Sequence, residues 1–389
     1  MPDFDPLSAE VLREPYPFYR ILRDEAPCYY VRPRGFWVVT RYEDVVASLR
    51  NHAVFSSTGG VGYHWEQRPM MPMYDPPQHT RMRRLVSRAF QPAAIAQWTA
   101  QIETTFTTLL DRALEAGRVD IVTDLAVPLS LGTIGDILGM PADRRDDLRR
   151  WSKGVVDELA GGLDREARAN VETLRKEFVT YLRELVAERI AKADTSATDV
   201  ISVIANAHEQ DTLTEKETIA FCVLLLTAGY ETTVNAIANG VLAFSQAPAE
   251  WARLSNEPGL VKTAIDETVR YDGAVQSFFR NTLTETSIAG VRIPKGGKVQ
   301  MVFASANRDD RKYPGADEFR IDRAAPDHVG YGVGVHYCLG APLARAQLSS
   351  FWAAFAKRVR GFEIAGDVVR TGNVLFRGAK QLPVTISAR

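Results

Sequence analysis

Cysteine is scarce in this chain. Only Cys28, Cys222 and Cys338 occur among 389 residues, and they lie far apart. Three scattered cysteines cannot form a disulfide framework, which favours a reducing compartment such as the cytoplasm. The formal net charge is only −1, so the composition gives no reason to expect a nucleic acid as partner. Local basic segments have to be judged one by one.

Long apolar runs and linkers are also lacking. The first twenty residues contain no basic segment followed by an apolar one, so we expect neither a signal peptide nor a membrane anchor. The most apolar run, residues 219–228, is about half as long as the ~20 residues that a membrane span requires. Because no linker or repeat divides the chain, we expect one domain over residues 1–389.

The apolar spacing predicts a mainly α protein with a minor β part. A helix near residues 17–25 is followed by alternating apolar residues that predict two strands and a helix up to residue 50. From residue 80 to about 245 nearly every segment has helical spacing, interrupted by prolines and short turns. After Tyr271 short strands, a turn-rich stretch over 307–334, one more helix and terminal strands follow. Irregular stretches of that length often carry function.

One long helix is predicted in the segment LTEKETIAFCVLLLTAGYETTVNAIANGVLAFSQAP. Thr214 and Glu217 form a candidate capping box at its start, and Pro248 lies just beyond its end. About thirty residues at 1.5 Å each span roughly 45 Å, which is enough to cross the domain. We therefore expect a buried central helix.

Three residues break the apolar pattern in the middle of this helix, namely Gly229, Glu231 and Thr232. In one interpretation they loosen the helix and supply a carboxyl and a hydroxyl for proton delivery. In the other, Thr232 only bonds back to the carbonyl of Ala228 and Glu231 points to solvent. These residues alone leave both interpretations open.

Basic residues are concentrated in DPPQHTRMRRLVSRAF, which predicts a helix after a double proline. His79 and Arg83 share one side of it and could hold a buried anion, although a solvated basic helix is the alternative. Arg280 follows two phenylalanines and is either exposed or paired with a buried anion. In ETVR, Glu267 and Arg270 can pair on one helix face, a contact that contributes about 0.2–0.5 kcal/mol when exposed.

The loop YGVGVHYCLG, residues 331–340, places Cys338 among glycines that disfavour both helix and strand. Three roles are open to this cysteine: a buried spectator, a nucleophile with His336 as its base, or a thiolate ligand of haem iron. The last role requires close approach of the backbone to a flat macrocycle, which glycines permit. A zinc site would need more nearby ligands than His336 alone.

Together these segments resemble the cytochrome P450 monooxygenases. YGVGVHYCLG resembles their haem-binding loop, AGYETT the oxygen-activating groove of their long central helix, and ETVR their Glu-x-x-Arg pair. DPPQHTRMRR resembles the helix that reaches the haem propionates, and ANRDDRKYPGADEFRIDR the turn-rich stretch before the haem loop. The order and intervals agree, from EPYPFYR near the start to QLPVTI near the end. The resemblance implies the P450 fold, with a long central helix over a buried haem.

The resemblance also implies haem b as cofactor and a role for each matching residue. Cys338 would ligate the iron, and Thr232 with Glu231 would deliver protons for oxygen activation. The other residues implied in cofactor binding are His79, Arg83, Arg280 and His336 at the propionates, together with Ala228, Gly229, Tyr331, Gly332 and Gly340. Glu267, Arg270 and Arg323 would form a structural network.

Three positions depart from the family pattern. Tyr331 stands where phenylalanine is usual, and its hydroxyl could change the hydrogen bonding of the sulfur and the potential of the iron. Asp310 stands where proline is usual, and Gln347 replaces a common glutamate. Neither of the last two touches the implied chemistry.

The implied reaction inserts one oxygen atom from O2 into a lipophilic small molecule, commonly by C–H hydroxylation. Because no other cysteine cluster is visible, we expect a separate ferredoxin and ferredoxin reductase as electron donors. The ferredoxin would be steered by charge to a basic face. The residues expected on that face are Arg81, Arg84, Arg88 and Arg345.

Four stretches are expected to contact the substrate: residues 59–73, 225–228, 274–279, and the loop around Leu375 and Phe376. Their apolar, aromatic and methionine-rich character favours a molecule of terpenoid or steroid size. Two other classes of protein remain as alternatives. A haem-binding sensor would not need the Glu231–Thr232 pair, and a haem-free cysteine hydrolase would use only Cys338 and His336.

Overall fold

The structure, a computed structural model, describes residues 4–63, 69–160, 164–192, 198–205, 213–371 and 373–389. The α-helices in these residues are α1 Ala9–Arg13, α2 Tyr16–Glu25, α3 Tyr42–Arg50, α4 Gln78–Val86, α5 Pro92–Ala116, α6 Val127–Ile137, α7 Arg145–Ala160, α8 Arg165–Lys192, α9 Val200–Ala205, α10 Glu215–Gln246, α11 Pro248–Asn256, α12 Val261–Tyr271, α13 Phe303–Ala306 and α14 Ala341–Arg358. The strands are β1 Cys28–Val31, β2 Phe36–Val39, β3 Phe55–Ser56, β4 Arg118–Asp120, β5 Ser277–Thr282, β6 Thr286–Ile288, β7 Val291–Ile293, β8 Lys298–Val302, β9 Val359–Ile364, β10 Val369–Arg370, β11 Ala379–Gln381 and β12 Pro383–Ala388. The prediction of a mainly α protein with a minor β part is confirmed.

The largest sheet joins distant parts of the chain. Its strand order is β1-β2-β8-β5-β3, in which β2 and β8 run parallel and the other neighbours run antiparallel. A second sheet has the order β4-β12-β9 and ties the C-terminal strand to the segment after α5. The strand β5 is the next element after α12, which carries the Glu-x-x-Arg segment. The larger sheet therefore fixes the chain that leaves this helix.

Helix α10 runs through the main hydrophobic core for 32 residues. The predicted capping box is present, because Thr214 accepts from the amide of Glu217 and the Glu217 side chain accepts from the amide of Thr214. Pro248 does lie beyond its end, where it begins α11. The helix packs against α6, α8, α12 and α14. A helix so surrounded is apolar on all sides, as the sequence shows.

The same helix is the candidate for a membrane span in the described part of the chain. Its length and composition would allow it to cross a bilayer, but 61% of its most apolar stretch is buried inside the molecule. Burial of this extent is typical of a core helix, and we interpret α10 as one. The expectation of a single domain over residues 1–389 stays a prediction.

Candidate functional site

The loop that holds Cys338 is a closed bend stabilised by its own backbone. Gly332 and Gly334 have φ angles of +68° and +73°, the left-handed region that disfavours other residues. The amide of Cys338 donates to the carbonyl of Tyr331 at 2.9 Å. Helix α14 begins three residues after the cysteine. The glycines therefore serve the turn geometry that the sequence indicated.

Cys338 lies in surroundings that both bury its sulfur and offer it hydrogen bonds. Burial raises the pKa of the thiol, whereas the amides of Gly340 and Ala341 and the charges of Arg83 and Arg345 lower it. Amide donors and nearby cations stabilise a thiolate. A metal cation would supply the remaining stabilisation, because metal coordination deprotonates a thiol. The surroundings fit a sulfur that acts as an anionic ligand.

The turn-rich stretch and α12 fix the position of this loop. The amide of Val329 donates to Oδ1 of Asn307 at 2.7 Å, and Nη1 of Arg270 donates to the carbonyl of Asn307 at 2.8 Å. A Cβ on Gly330 would lie 2.3 Å from Cγ1 of Val269, so the loop packs directly on α12. The Glu-x-x-Arg helix therefore supports the loop through one intermediate residue, Asn307.

The Glu267–Arg270 pair is completely buried, not an exposed contact. Both side chains have 0% exposure, and Arg270 Nε donates to Glu267 Oε2 at 2.7 Å. Arg323 Nε completes the expected network at 3.3 Å from Glu267 Oε1. Arg270 also donates to backbone carbonyls, including that of Ala316 at 2.8 Å. A buried ion pair with these additional hydrogen bonds has a structural role.

Four basic side chains from three separate elements converge beside the loop. His79 and Arg83 come from α4, Arg280 from β5, and His336 from the loop itself. The rings of His79 and His336 lie 4.3 Å apart between centroids, and Arg83 Nη1 donates to the carbonyl of Val335 at 3.3 Å. His79 is 2% exposed and Arg280 5% exposed. The structure thus brings the four predicted propionate ligands together.

Burial and mutual repulsion leave this cluster in need of anions. Burial, with the charge of Arg83, lowers the pKa of His79 to about 4. Burial, with the charge of Arg280, lowers the pKa of His336 to about 3. Burial alone lowers the pKa of Arg280 to about 10. Nδ1 of His79 has no partner among the described residues. The two histidines are therefore neutral near neutral pH, and the buried guanidinium groups of Arg83 and Arg280 carry the positive charge that suits the site to carboxylates.

Two further residues of this cluster escaped the sequence analysis. Ser57 Oγ lies 3.1 Å from Nε2 of His336, and the carboxylate of Asp75 accepts from the amide of Ser57 at 3.0 Å. Asp75 precedes α4 in the DPP segment, and Ser57 follows β3. The available signal was the hydroxyl-rich segment FSST, but its long-range pairing with the DPP segment has no pattern in the sequence.

The middle of α10 keeps its regular helical bonding. Thr232 Oγ1 donates to the carbonyl of Ala228 at 2.6 Å, as in the second interpretation given above. No break occurs at Gly229; a Cβ there would lie 2.5 Å from Cδ1 of Ile134, so the glycine permits close packing against α6. The hypothesis that Gly229 loosens the helix is therefore wrong for this structure. Glu231 is half-buried, not solvent-exposed.

The described residues fit the haem that the resemblance implies. Ala228 is exposed between two largely buried stretches of the same helix, 218–226 and 233–244, so a ligand can contact the helix there. The cationic cluster has an unpartnered ring nitrogen for a carboxylate, and Cys338 has amide donors to its sulfur. Propionates, a macrocycle face and an iron ligand each have matching groups.

The stretches expected to contact the substrate are partly brought together. An isolated bridge pairs Val275 with Phe376, and the amide of Gln276 donates to the carbonyl of Leu375 at 2.7 Å. The ring centroids of Phe278 and Phe376 are 6.1 Å apart. Residues 64–68 of the expected 59–73 loop lie outside the described residues. The 274–279 turn and the late loop therefore pack into one largely buried apolar cluster.

The departures from the family pattern leave the sulfur unaffected. The Tyr331 hydroxyl is buried and has no hydrogen-bond partner among the described residues, so it does not bond to the sulfur of Cys338. Its ring instead lies under the guanidinium of Arg345, 4.5 Å from the centroid. Asp310 accepts from the amide of Ala316 at 3.0 Å. Gln347 is 1% exposed, and its amide has no partner in the described part of the chain.

Arg81 and Arg345, which are expected to attract a ferredoxin, form ion pairs with other described residues. Arg81 Nη1 lies 2.8 Å from Oε1 of Glu217, and Arg345 Nη2 lies 3.2 Å from Oδ1 of Asp266. Arg84 is exposed and Arg88 is half-buried. Paired arginines contribute less to long-range steering than the sequence alone implies.

Comparisons with known proteins agree with this geometry. The family description "Cytochrome P450" matches residues 155–364. The chain is 34% identical over 383 residues to Cytochrome P450 109 of Bacillus spizizenii, covering 96% of this chain and 92% of that protein. It resembles the solved structure of CYP109Q5 from Chondromyces apiculatus with a TM-score of 0.90 at 30% identity, covering 99% of this chain and 98% of that one.

A second solved structure is that of CYP109E1 from Bacillus megaterium in complex with testosterone. The TM-score is 0.87 at 30% identity, with 96% of this chain and 99% of that chain covered. In each comparison with a whole protein, the similarity extends over nearly the full length of both chains. It therefore includes every element that carries the site.

Proposed function

This chain belongs to the cytochrome P450 family, and we propose that Cys338 is the thiolate ligand of its haem iron. Members of the family are haem b monooxygenases, so the chain is a haem monooxygenase that uses O2 and electrons from a redox partner. This cofactor excludes the haem-free hydrolase. The assignment of Cys338 rests on one observation: its sulfur accepts hydrogen bonds from the amides of Gly340 and Ala341 in a glycine-lined bend.

The four basic side chains would hold the haem propionates. Arg83 and Arg280 carry full positive charge, and neither forms an ion pair with a described carboxylate. A guanidinium binds a carboxylate through two parallel hydrogen bonds, which also orients the carboxylate. His79 and His336 would add ring N–H donors. Propionates in this position would add negative charge next to these two guanidinium groups.

When bound, haem supplies the activation of O2, by which one oxygen atom enters the substrate and the other leaves as water with two external electrons. The proposed task of α10 is to supply protons for that chemistry. Thr232 Oγ1 donates to the carbonyl of Ala228 and can accept a hydrogen bond at the same oxygen while it donates. Glu231, the residue that precedes Thr232 in the helix, would be the acid that restores the proton of this hydroxyl.

A lipophilic substrate is the class that the family implies, and we propose one of steroid or terpenoid size. The support is the similarity to CYP109E1, whose structure contains testosterone, and the apolar cluster formed by Val275, Phe278, Leu375 and Phe376. Apolar pockets bind such molecules chiefly through buried area and use few polar groups. A fatty acyl chain would be bound with less shape selectivity.

We further propose a ferredoxin as the electron donor and the cytoplasm as the working compartment. The three cysteines are not paired with one another, as is usual in reducing surroundings. Arg84 is exposed on α4, the helix that also carries Arg83 toward Cys338. An acidic iron–sulfur protein would be attracted to such a surface.

The decisive experiment compares the spectra of the reduced, carbon-monoxide-bound wild type and Cys338→Ser proteins. Wild type should give the thiolate-type band, and Cys338→Ser should lose it, because a serine hydroxyl does not replace a thiolate on iron. Cys28→Ser is the matched control, since Cys28 is a buried thiol in β1 and should retain the band. A thiolate-type band in the Cys338→Ser protein would disprove the assignment.

A further inference from the structure

Asp75 lies at the centre of a hydrogen-bonded turn that faces the basic cluster. Its carboxylate accepts from the hydroxyl of Ser56, from the amide of Ser57 at 3.0 Å and from the hydroxyl of Thr58 at 3.2 Å. Its own carbonyl accepts the amide of His79 at 3.0 Å and so starts α4. The side chain is 18% exposed. Three donors fix the carboxylate in one orientation.

This carboxylate provides negative charge to the basic cluster in the described structure. Its Oδ1 lies 4.0 Å from Nε2 of His336. Its charge is also the one that opposes the effect of burial on the pKa of Arg280, and it acts in the same direction on His79. The guanidinium of Arg280 otherwise donates to a backbone carbonyl, that of Phe279 at 2.7 Å. Asp75 therefore places a negative charge beside residues that the proposed function assigns to the propionates.

Ser57 connects Asp75 to the histidine of the haem loop. Its amide is held by Asp75, and its hydroxyl lies 3.1 Å from Nε2 of His336. The ring of His336 is thereby oriented by a residue 279 positions earlier in the chain. A ring fixed in this way loses little freedom when it binds a ligand.

We propose, on the basis of the proposed function, that Asp75 is an internal counter-anion that competes with the haem propionates for the basic cluster. Ser57 is then a positioning residue for His336. The two residues should then have opposite effects on haem retention. Removing the charge of Asp75 removes repulsion between like charges and should strengthen haem binding. Removing the hydroxyl of Ser57 frees the ring of His336 and should weaken it.

The test measures haem transfer from the holoenzyme to an excess of haem-free globin. Asp75→Asn is isosteric, and the hydroxyls of Ser56 and Thr58 can accept from its amide as well as donate. We expect Asp75→Asn to release haem about tenfold more slowly than wild type, from the loss of one partly screened charge at this range. We expect Ser57→Ala to release haem about fivefold faster, from the loss of one hydrogen bond.

A second measurement does not depend on release. The reduction potential of Asp75→Asn should lie above that of wild type. A nearby negative charge stabilises the oxidised iron more than the reduced iron, so removing it favours the reduced state. Asp75→Glu keeps the charge and should neither slow haem release nor raise the potential. Asp24→Asn is the control for an acid paired with a surface arginine, Arg311, and should behave as wild type.

Each outcome separates this inference from the proposed function. Haem release from Asp75→Asn that is unchanged or faster would overturn the counter-anion role, and unchanged release from Ser57→Ala would overturn the positioning role. In both cases the thiolate-type band of wild type would leave the proposed function intact. Wild-type protein that cannot be loaded with haem would overturn the proposed function and this inference with it.

Discussion

The Cys338 loop and the middle of α10 are stabilised in different ways. The loop is held by long-range contacts: Asn307 bonds to Val329, and Arg270 bonds to Asn307 from a helix 37 residues earlier. In the middle of α10, the hydroxyls of Thr227, Thr232 and Thr233 bond to carbonyls four residues back in the same helix. The first region depends on the tertiary structure, whereas the second is locally self-sufficient.

This difference means that the residues around the loop serve mainly folding, whereas those in the middle of α10 are available for chemistry. A glycine-rich loop has little intrinsic order, so the buried network must provide it. A helix needs no such support in its middle, and the exposed residue Ala228 is left for contact with a ligand. We therefore expect substitutions around the loop to reduce stability and haem content, and substitutions in the middle of α10 to change reactivity at nearly constant stability.

The largest effect is expected from Glu267→Gln. This change leaves Arg270 charged and fully buried without its partner, which costs about 3–5 kcal/mol. The loop should lose its support through Asn307, so haem content should fall together with the melting temperature. Thermal unfolding and the haem-to-protein ratio measure both. Glu172→Gln, at an exposed i,i+4 pair with Lys176, is the control and should leave both unchanged.

Thr232→Ala should affect reactivity more than stability. If the hydroxyl supplies protons, product formed per electron consumed should fall about 100-fold, within the range of general acid–base catalysis. The melting temperature should change little, because only one hydrogen bond within the helix is lost. Thr232→Ser keeps the hydroxyl and should retain most of the coupling. Full coupling in Thr232→Ala would contradict the proton role and would point to another proton route.

The sequence predicts the locally encoded features well. The capping box of Thr214 and Glu217, the length of α10 and the two early strands follow from signals within a few residues of each other. The loop of Cys338 is recognisable because its glycines are needed for positive φ angles, a requirement that leaves a direct trace in composition. The expected convergence of the four basic residues follows from the family resemblance.

Features that depend on long-range packing were not predictable. The sequence could not show that Glu267 and Arg270 are fully buried, because an i,i+3 pair looks the same on an exposed helix. It also could not show that Gly229 packs against Ile134 instead of loosening the helix. The contact between Ser57 and His336 joins residues 279 positions apart. Such contacts depend on the arrangement of whole elements, and local composition does not encode them.

The two glycines of α10, Gly229 and Gly240, allow a smaller test of the same comparison. A Cβ on Gly240 would lie 2.5 Å from Cζ2 of Trp352, a rigid buried ring on α14, so Gly240→Ala should reduce stability by about 1–3 kcal/mol. At Gly229 the contacted atom is the flexible end of Ile134, and the gain in helix propensity offsets the crowding. Denaturant unfolding of both variants should show the larger loss for Gly240→Ala; the reverse order would contradict this packing argument.

Tyr331→Phe should have the smallest effect and the opposite sign. The hydroxyl is buried without a partner among the described residues, and an unsatisfied buried hydroxyl costs about 1 kcal/mol or more. Phenylalanine keeps the aromatic face under Arg345, so the melting temperature should rise slightly. Since the hydroxyl does not bond to the sulfur of Cys338, the reduction potential should stay at the wild-type value. A shifted potential would mean that Tyr331 acts on the thiolate directly, and the loop would then tune the iron as well as hold it.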